Sequence, residues 1–202
     1  HSWLQKHIWP AEKKYVSEDF VRDGGELAIA EMILSGTTTF SDMYFFPEIM
    51  AELVVSKGIR CQLSFPIFDF QSPWASDSKD CISRGLALTD RFKHRDLVKV
   101  IFGPHSVYSL SEESLKNISM LTSEMDLGLQ IHLHETKDEV MQSVTSKGER
   151  PLQQLSRLGL LGPKTQCVHM TELNDEDIEI TEVSGSHVIH CPESNMKLAS
   201  GI

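Results

Sequence analysis

Leu129-Gln-Ile-His-Leu-His-Glu-Thr136 is the stretch on which the fold turns. Residues 129–134 read as a strand, where residues two apart share a face. His132 and His134 are therefore expected to point the same way, with Glu135 closing the strand at its C-terminal end. A neutral imidazole is a good ligand for zinc, iron or nickel, and a neighbouring carboxylic acid can pass protons to a reacting group. Taken alone, a strand histidine is more often a hydrogen-bonded residue of the core or surface. Its neighbours along the chain decide between the two.

Those neighbours repeat the pattern. Gly103-Pro-His105-Ser follows an apolar run over 98–102, Cys167-Val-His169-Met ends a run over 165–169, and Val188-Ile-His190-Cys-Pro ends one over 187–190. Four consecutive units ending in histidine are hard to obtain by chance. His134 and His187 are each redundant with a better placed neighbour, and are assigned to support rather than chemistry. Between the runs lie helical stretches: 18–35 with a Ser17 N-cap and a Gly36 stop, 47–57 before Gly58, 77–92, 111–125, 137–147, 151–158 and 175–183. With short strands at 36–43 and 60–65, this gives six strands alternating with helices, the pattern of a parallel sheet built from βα units.

A doubly wound sheet and a barrel both satisfy that alternation. A dinucleotide-binding sheet would carry a glycine-rich loop after its first strand, and a P-loop its GxxxxGK[ST]; neither is present. In a barrel the catalytic side chains gather at the C-terminal ends of several strands. Asp42, His105, His132 with Glu135, His169 and His190 all fall at such ends. The prediction is therefore α/β, a TIM-like (β/α)8 barrel, incomplete here with about strands 2–7 present.

Composition bounds the rest. Nineteen Lys+Arg against 29 Asp+Glu give a formal net charge of -10, which argues against a nucleic-acid or anionic-membrane surface. No apolar run has the length of a membrane span and no basic-then-apolar leader is seen, so the expected location is cytoplasmic. Cys61, Cys81, Cys167 and Cys191 show no CxxC spacing and are expected to be reduced thiols. The chain begins at His1 without Met and stops at Ile202 after a turn-like 197–201 segment, so both ends are expected to be cuts within a longer protein.

Together, His-Ile-Trp-Pro-Ala-Glu (7–12), Phe-Gly-Pro-His-Ser (102–106), Ile-His-Leu-His-Glu-Thr (131–136) and Val-Ile-His-Cys-Pro-Glu-Ser-Asn-Met-Lys-Leu-Ala-Ser-Gly (188–201) resemble the amidohydrolase superfamily. The first of these, with Leu27-Ala-Ile-Ala-Glu-Met32 and Gly36-Thr-Thr, resembles its 5-methylthioadenosine/S-adenosylhomocysteine deaminase branch. The resemblance implies a metal-dependent hydrolytic deaminase of adenine nucleosides that releases ammonia and the inosine analogue. It implies one divalent ion, zinc before ferrous iron, with His132 as a metal ligand. Glu135 would protonate the purine ring and contact substrate, and His169 would orient the attacking water and help remove its proton. His105 and Glu12 would contact substrate, the glutamate suiting ribose hydroxyls. His190 and Asn195 match a family signature read as site architecture. Some members use arginines beyond strand three; Arg84 is the one counterpart here, in a loop that departs from the pattern.

The family's His-x-His pair at the end of the first strand, its eighth-strand aspartate and its terminal β-sandwich have no counterpart in residues 1–202. The expected domain content is thus a partial barrel over the whole chain. Two alternatives stand beside the nucleoside deaminase: a related enzyme acting on guanine, cytosine or triazines, and a fragment that is silent by itself because its metal site is incomplete. An open strand array leaves edges that pair with another chain, so the expected partners are a small-molecule substrate and further copies in a homo-oligomer.

Overall fold

The computed structural model describes residues 3–201; His1 and Ile202, the two ends noted above, lie outside the described residues with Ser2. The chain divides into two compact units, His1–Ile101 and Phe102–Ile202.

In the first unit a π-helical turn at Leu4–Ile8 runs into α1 (Trp9–Tyr15), followed by α2 (Glu18–Leu34), β1 (Thr39–Asp42), α3 (Pro47–Lys57), β2 (Arg60–Ile67) and α4 (Ser78–Phe92). The caps are those the sequence spells. The Ser17 hydroxyl accepts from the Phe20 N–H at 3.2 Å at the start of α2, and the Asp77 carboxylate does the same for the Asp80 N–H at 2.9 Å in α4. β1 lies parallel to β2, with Thr39 opposite Arg60 and Asp42 opposite Leu63. The core forms where β2 turns Leu63, Phe65 and Ile67, all fully buried, toward α3 and α4. Burial on both faces over 63–67 is what a parallel strand covered by helices requires.

β3 (Val98–Pro104) carries the chain from one unit into the next. The second unit continues with α5 (Glu112–Met125), β4 (Leu129–Leu133), α6 (Lys137–Lys147), α7 (Pro151–Arg157), β5 (Thr165–His169), α8 (Asp175–Ser184), β6 (His187–Ile189) and α9 (Pro192–Leu198). Phe102 of β3 pairs in parallel with Leu129, and β4 runs in register with β5 from Leu129 opposite Thr165 to Leu133 opposite His169. β5 in turn pairs in parallel with β6, Val168 opposite Ile189. Leu115, Ile118, Ile131, Leu133, Leu152, Leu155 and Cys167 form its buried core.

The architecture is α/β with parallel strands whose neighbours follow sequence order, as the alternation predicts. All four cysteines are free thiols, three of them buried. No helix among the described residues is long and apolar enough to cross a membrane. α1 and α9 are helices that the sequence reading did not anticipate.

Candidate functional site

β4 ends one residue earlier than the sequence predicts, and this corrects the expected shared face of His132 and His134. His134 adopts φ +53°, a left-handed backbone outside the strand, and its ring is fully buried. Its Nε2 accepts from the Leu152 N–H at 3.1 Å, which requires that nitrogen to be bare, so Nδ1 donates to the Glu172 carbonyl at 3.0 Å. With both nitrogens engaged, His134 is a structural residue, as its redundancy implied. Arg150 completes the arrangement, donating to the same Glu172 carbonyl at 2.7 Å and to the fully buried Asp177 carboxylate at 2.6 to 3.1 Å.

The turn after β4 is clamped from both sides. Glu139, at the third position of α6, accepts from the N–H groups of His134 at 3.1 Å and Glu135 at 2.8 Å. The Thr171 hydroxyl lies 3.1 Å from the His134 carbonyl and 2.9 Å from that of Glu135. Main-chain freedom at Glu135 is thereby removed, and its side chain is held at a defined place.

His105, His132 and His169, from the ends of β3, β4 and β5, come together with Glu135. The ring centroids of His105 and His132 are 5.0 Å apart, and those of His132 and His169 are 5.6 Å apart. The His169 Nε2 lies 3.6 Å from the Glu135 Oε1. Each ring has a defined tautomer. The His105 carbonyl accepts from both the main-chain N–H of His132, at 3.1 Å, and its Nδ1, at 2.9 Å. His169 directs Nδ1 to the Asn195 Oδ1 at 2.8 Å. The Ser109 hydroxyl donates to the Ser106 carbonyl and Ser106 Oγ donates to Ser109 Oγ, so Ser106 Oγ accepts from the His105 Nδ1 at 3.1 Å.

Burial keeps the His105 and His132 rings neutral. It pushes His105 down to about 3, with the neighbouring His132 adding to the effect, and lowers His132 as well. A neutral imidazole with its proton on Nδ1 offers the Nε2 lone pair, the form in which histidine binds zinc or a similar ion. His132 therefore fits a ligand role. The set is not complete, because no group of three or more His, Cys, Asp or Glu among the described residues is gathered to hold a metal ion.

Glu12 belongs to the first unit. It sits half-buried on α1 and accepts from the Tyr44 hydroxyl at 3.0 Å, just beyond the C-terminal end of β1. Asp42 closes that strand, and desolvation raises its carboxyl to about 6. Arg84 is on α4, half-exposed and paired with Asp80 at 3.0 Å, an ordinary i,i+4 surface contact. In the second unit His190 is exposed after β6, and the exposed His187 ring meets the Pro163 carbonyl at 3.1 Å.

Neutral imidazoles and a carboxylate at successive strand ends are the arrangement expected of a metal-dependent hydrolase, and the sequence comparison agrees. The profile of the amidohydrolase family matches residues 1–202. The chain belongs to the amidohydrolase family. This amidohydrolase is 53% identical over 199 residues to a protein from Saccharophagus degradans named 5-methylthioadenosine/S-adenosylhomocysteine deaminase, covering 98% of the present chain and 45% of that one. A protein from Methanothermobacter thermautotrophicus named 5'-deoxyadenosine deaminase is 38% identical over 200 residues, 99% of this chain and 47% of its own. Among solved structures, a zinc-bound adenosine deaminase from Xanthomonas campestris superposes with a TM-score of 0.96 at 40% identity, over 99% of this chain and 46% of that one. The chain thus spans about half the length of the relatives it matches.

Sequence reasoning missed the supports of the site. Glu139 carries a legible signal, the Thr136-x-x-Glu139 capping pattern, in which the Thr136 side chain accepts from the Glu139 N–H at 3.2 Å. Its carboxylate reaches past the cap to His134 and Glu135, which the pattern does not specify. Arg150 and Asp177 are 27 residues apart and have no local signature.

Proposed function

We propose that the full-length protein containing this chain is a metal-dependent hydrolytic deaminase of adenine nucleosides, acting on 5'-methylthioadenosine and S-adenosylhomocysteine. The observation that carries this is the Glu135 carboxylate 3.6 Å from the His169 Nε2, beside the neutral His132 ring. The names of the relatives support the substrate class.

His132 would hold a divalent ion, zinc before ferrous iron, and the zinc of the Xanthomonas relative supports that preference. When bound, such an ion supplies Lewis acidity, bringing the pKa of a water toward neutrality. His169 accepts a proton from the water that attacks C6 of the purine as Glu135 gives its own proton to the ring nitrogen; the ionised Glu135 then takes the proton of the hydroxyl left on C6 and passes it to the departing amine. The C6–N bond breaks as the C6=O double bond forms, ammonia leaves, and the proton on His169 returns to Glu135. His105 and Glu12 contact the substrate, Glu12 through its remaining carboxylate acceptors on ribose hydroxyls. A nucleoside without phosphate needs no arginine clamp, in keeping with the surface pairing of Arg84.

The remaining ligands, and the first and eighth strands of a barrel with its terminal β-sandwich, belong in our reading to parts of the full-length protein outside residues 1–202. The 202-residue chain alone is accordingly inactive. β6 supports a homo-oligomer or a further strand: among the described residues its one strand neighbour is β5, and Val188 and Ile189 are exposed. Free cysteines support a cytoplasmic location.

The test is ammonia release by the full-length protein given 5'-methylthioadenosine, S-adenosylhomocysteine, adenosine, guanine and a triazine. Turnover of the first two is expected. Turnover of guanine or a triazine alone contradicts the substrate assignment.

A further inference from the structure

We propose that Asn195 is a positioning residue for deamination: its side-chain oxygen holds His169 in the tautomer protonated at Nδ1, which presents a bare Nε2 toward Glu135. This rests on the role given to His169 above.

The geometry is specific to the pair. Asn195 is fully buried on α9, and its Oδ1 lies 2.8 Å from the His169 Nδ1. An amide oxygen can only accept, so the ring must donate, and the opposite tautomer would set two lone pairs against each other. His169 is itself buried, and it and Met170 have φ of +80° and +52°. Two consecutive residues other than glycine in left-handed backbone persist where their surroundings hold them. His169 is thus fixed at the main chain by the turn and at the ring by Asn195.

Asn195 is fixed in its turn. Its N–H donates to the Cys191 carbonyl at 2.9 Å, and its own carbonyl accepts from the Ser200 N–H at 3.0 Å. The Ser200 carbonyl is 3.2 Å from the Thr171 hydroxyl, the group that also contacts the carbonyls of His134 and Glu135. One hydrogen-bonded assembly therefore places both the ring that accepts the proton and the carboxylate that returns it.

Packing does not account for an asparagine here. The Asn195 Nδ2 is buried and has no partner among the described residues, a cost that a leucine of similar shape would avoid. What leucine lacks is the acceptor for His169.

The experiment uses the full-length, zinc-loaded protein labelled with 15N-histidine, with long-range 1H–15N spectra reading each imidazole tautomer and His169→Gln identifying the His169 signals. Wild type is expected to show His169 protonated at Nδ1. Asn195→Leu should lose that preference, with kcat on 5'-methylthioadenosine falling on the order of 10–100-fold, the range for removing a partner that orients a site histidine, and KM within about twofold. Asn195→Asp, which keeps the acceptor, should retain the tautomer and recover most of kcat. An unchanged tautomer or unchanged kcat in a folded Asn195→Leu overturns the proposal. So does loss of the Nδ1 proton in Asn195→Asp, which decides the matter if the leucine variant does not fold. Wild type that releases no ammonia would instead overturn the deaminase reading, while the spectra still decide the role of Asn195.

Discussion

At the residue scale the site works by denying its side chains alternatives. Glu139 illustrates this, since its buried carboxylate satisfies two main-chain N–H groups of the turn that carries Glu135. Glu139→Ala leaves both without an acceptor, and a loss on the order of 2 kcal/mol in urea unfolding is expected. Burial pushes this carboxyl from 4.5 up to about 7, against the downward pull of the N–H groups of Glu135, His134 and Thr136. A raised pKa favours the protonated group in the folded state, so its contribution is full below pH 4.5 and is lost as pH rises through about 7. Wild-type stability should therefore decline from pH 4.5 to 7 more steeply than that of Glu139→Gln; equal slopes would show that Glu139 does not titrate there. His132, His105, His169 and Glu135 were legible because they repeat at strand ends. The orientation of His134 was not, because period-2 reasoning assumes the strand continues, and a left-handed residue at 134 ends it. Tautomers set by Asn195 or Ser106 depend on contacts that no spacing rule encodes.

At the element scale, helix starts and stops were readable to within a residue or two where a capping side chain or a terminal glycine marks them, as at Ser17, Asp77, Ser111 and Gly148. α9, whose buried residue is the polar Asn195, and α1, with no buried residue, have no apolar stripe to reveal them. Packing sets the glycines apart in a way that sequence does not. A Cβ on Gly85 of α4 would fall 2.2 Å from the buried Phe65 ring of β2, whereas one on Gly24 of α2 would meet nothing within 4 Å. Gly85→Ala is expected to destabilise by about 1–3 kcal/mol through overpacking. Gly24→Ala should stabilise by about 0.5–1 kcal/mol through helix propensity. Unfolding midpoints of the two variants should move in opposite directions, and a neutral Gly85→Ala would mean that α4 does not press on β2 so closely.

At the scale of the whole molecule, alternation and strand-end chemistry together named the fold class, which neither did alone, and the 0.96 TM-score to an adenosine deaminase agrees with it. Net charge and composition contributed little to the site, because three imidazoles and a carboxylate barely alter either. The incomplete donor set predicts that activity depends on an ion held jointly with parts of the full-length protein outside this chain. Chelation should abolish deamination and zinc should restore it, while activity that survives complete metal removal would refute a metal-dependent reaction. The central claim is that Glu135 moves the proton while His132 helps hold the ion. It is tested most directly by ammonia release and bound-metal content in full-length Glu135→Gln given 5'-methylthioadenosine. Turnover is expected to fall by on the order of 10²–10⁴-fold, the usual contribution of a general acid–base group, with metal content unchanged. A variant that retains a near wild-type rate, or one that is inactive only because it has lost its metal, would contradict the account.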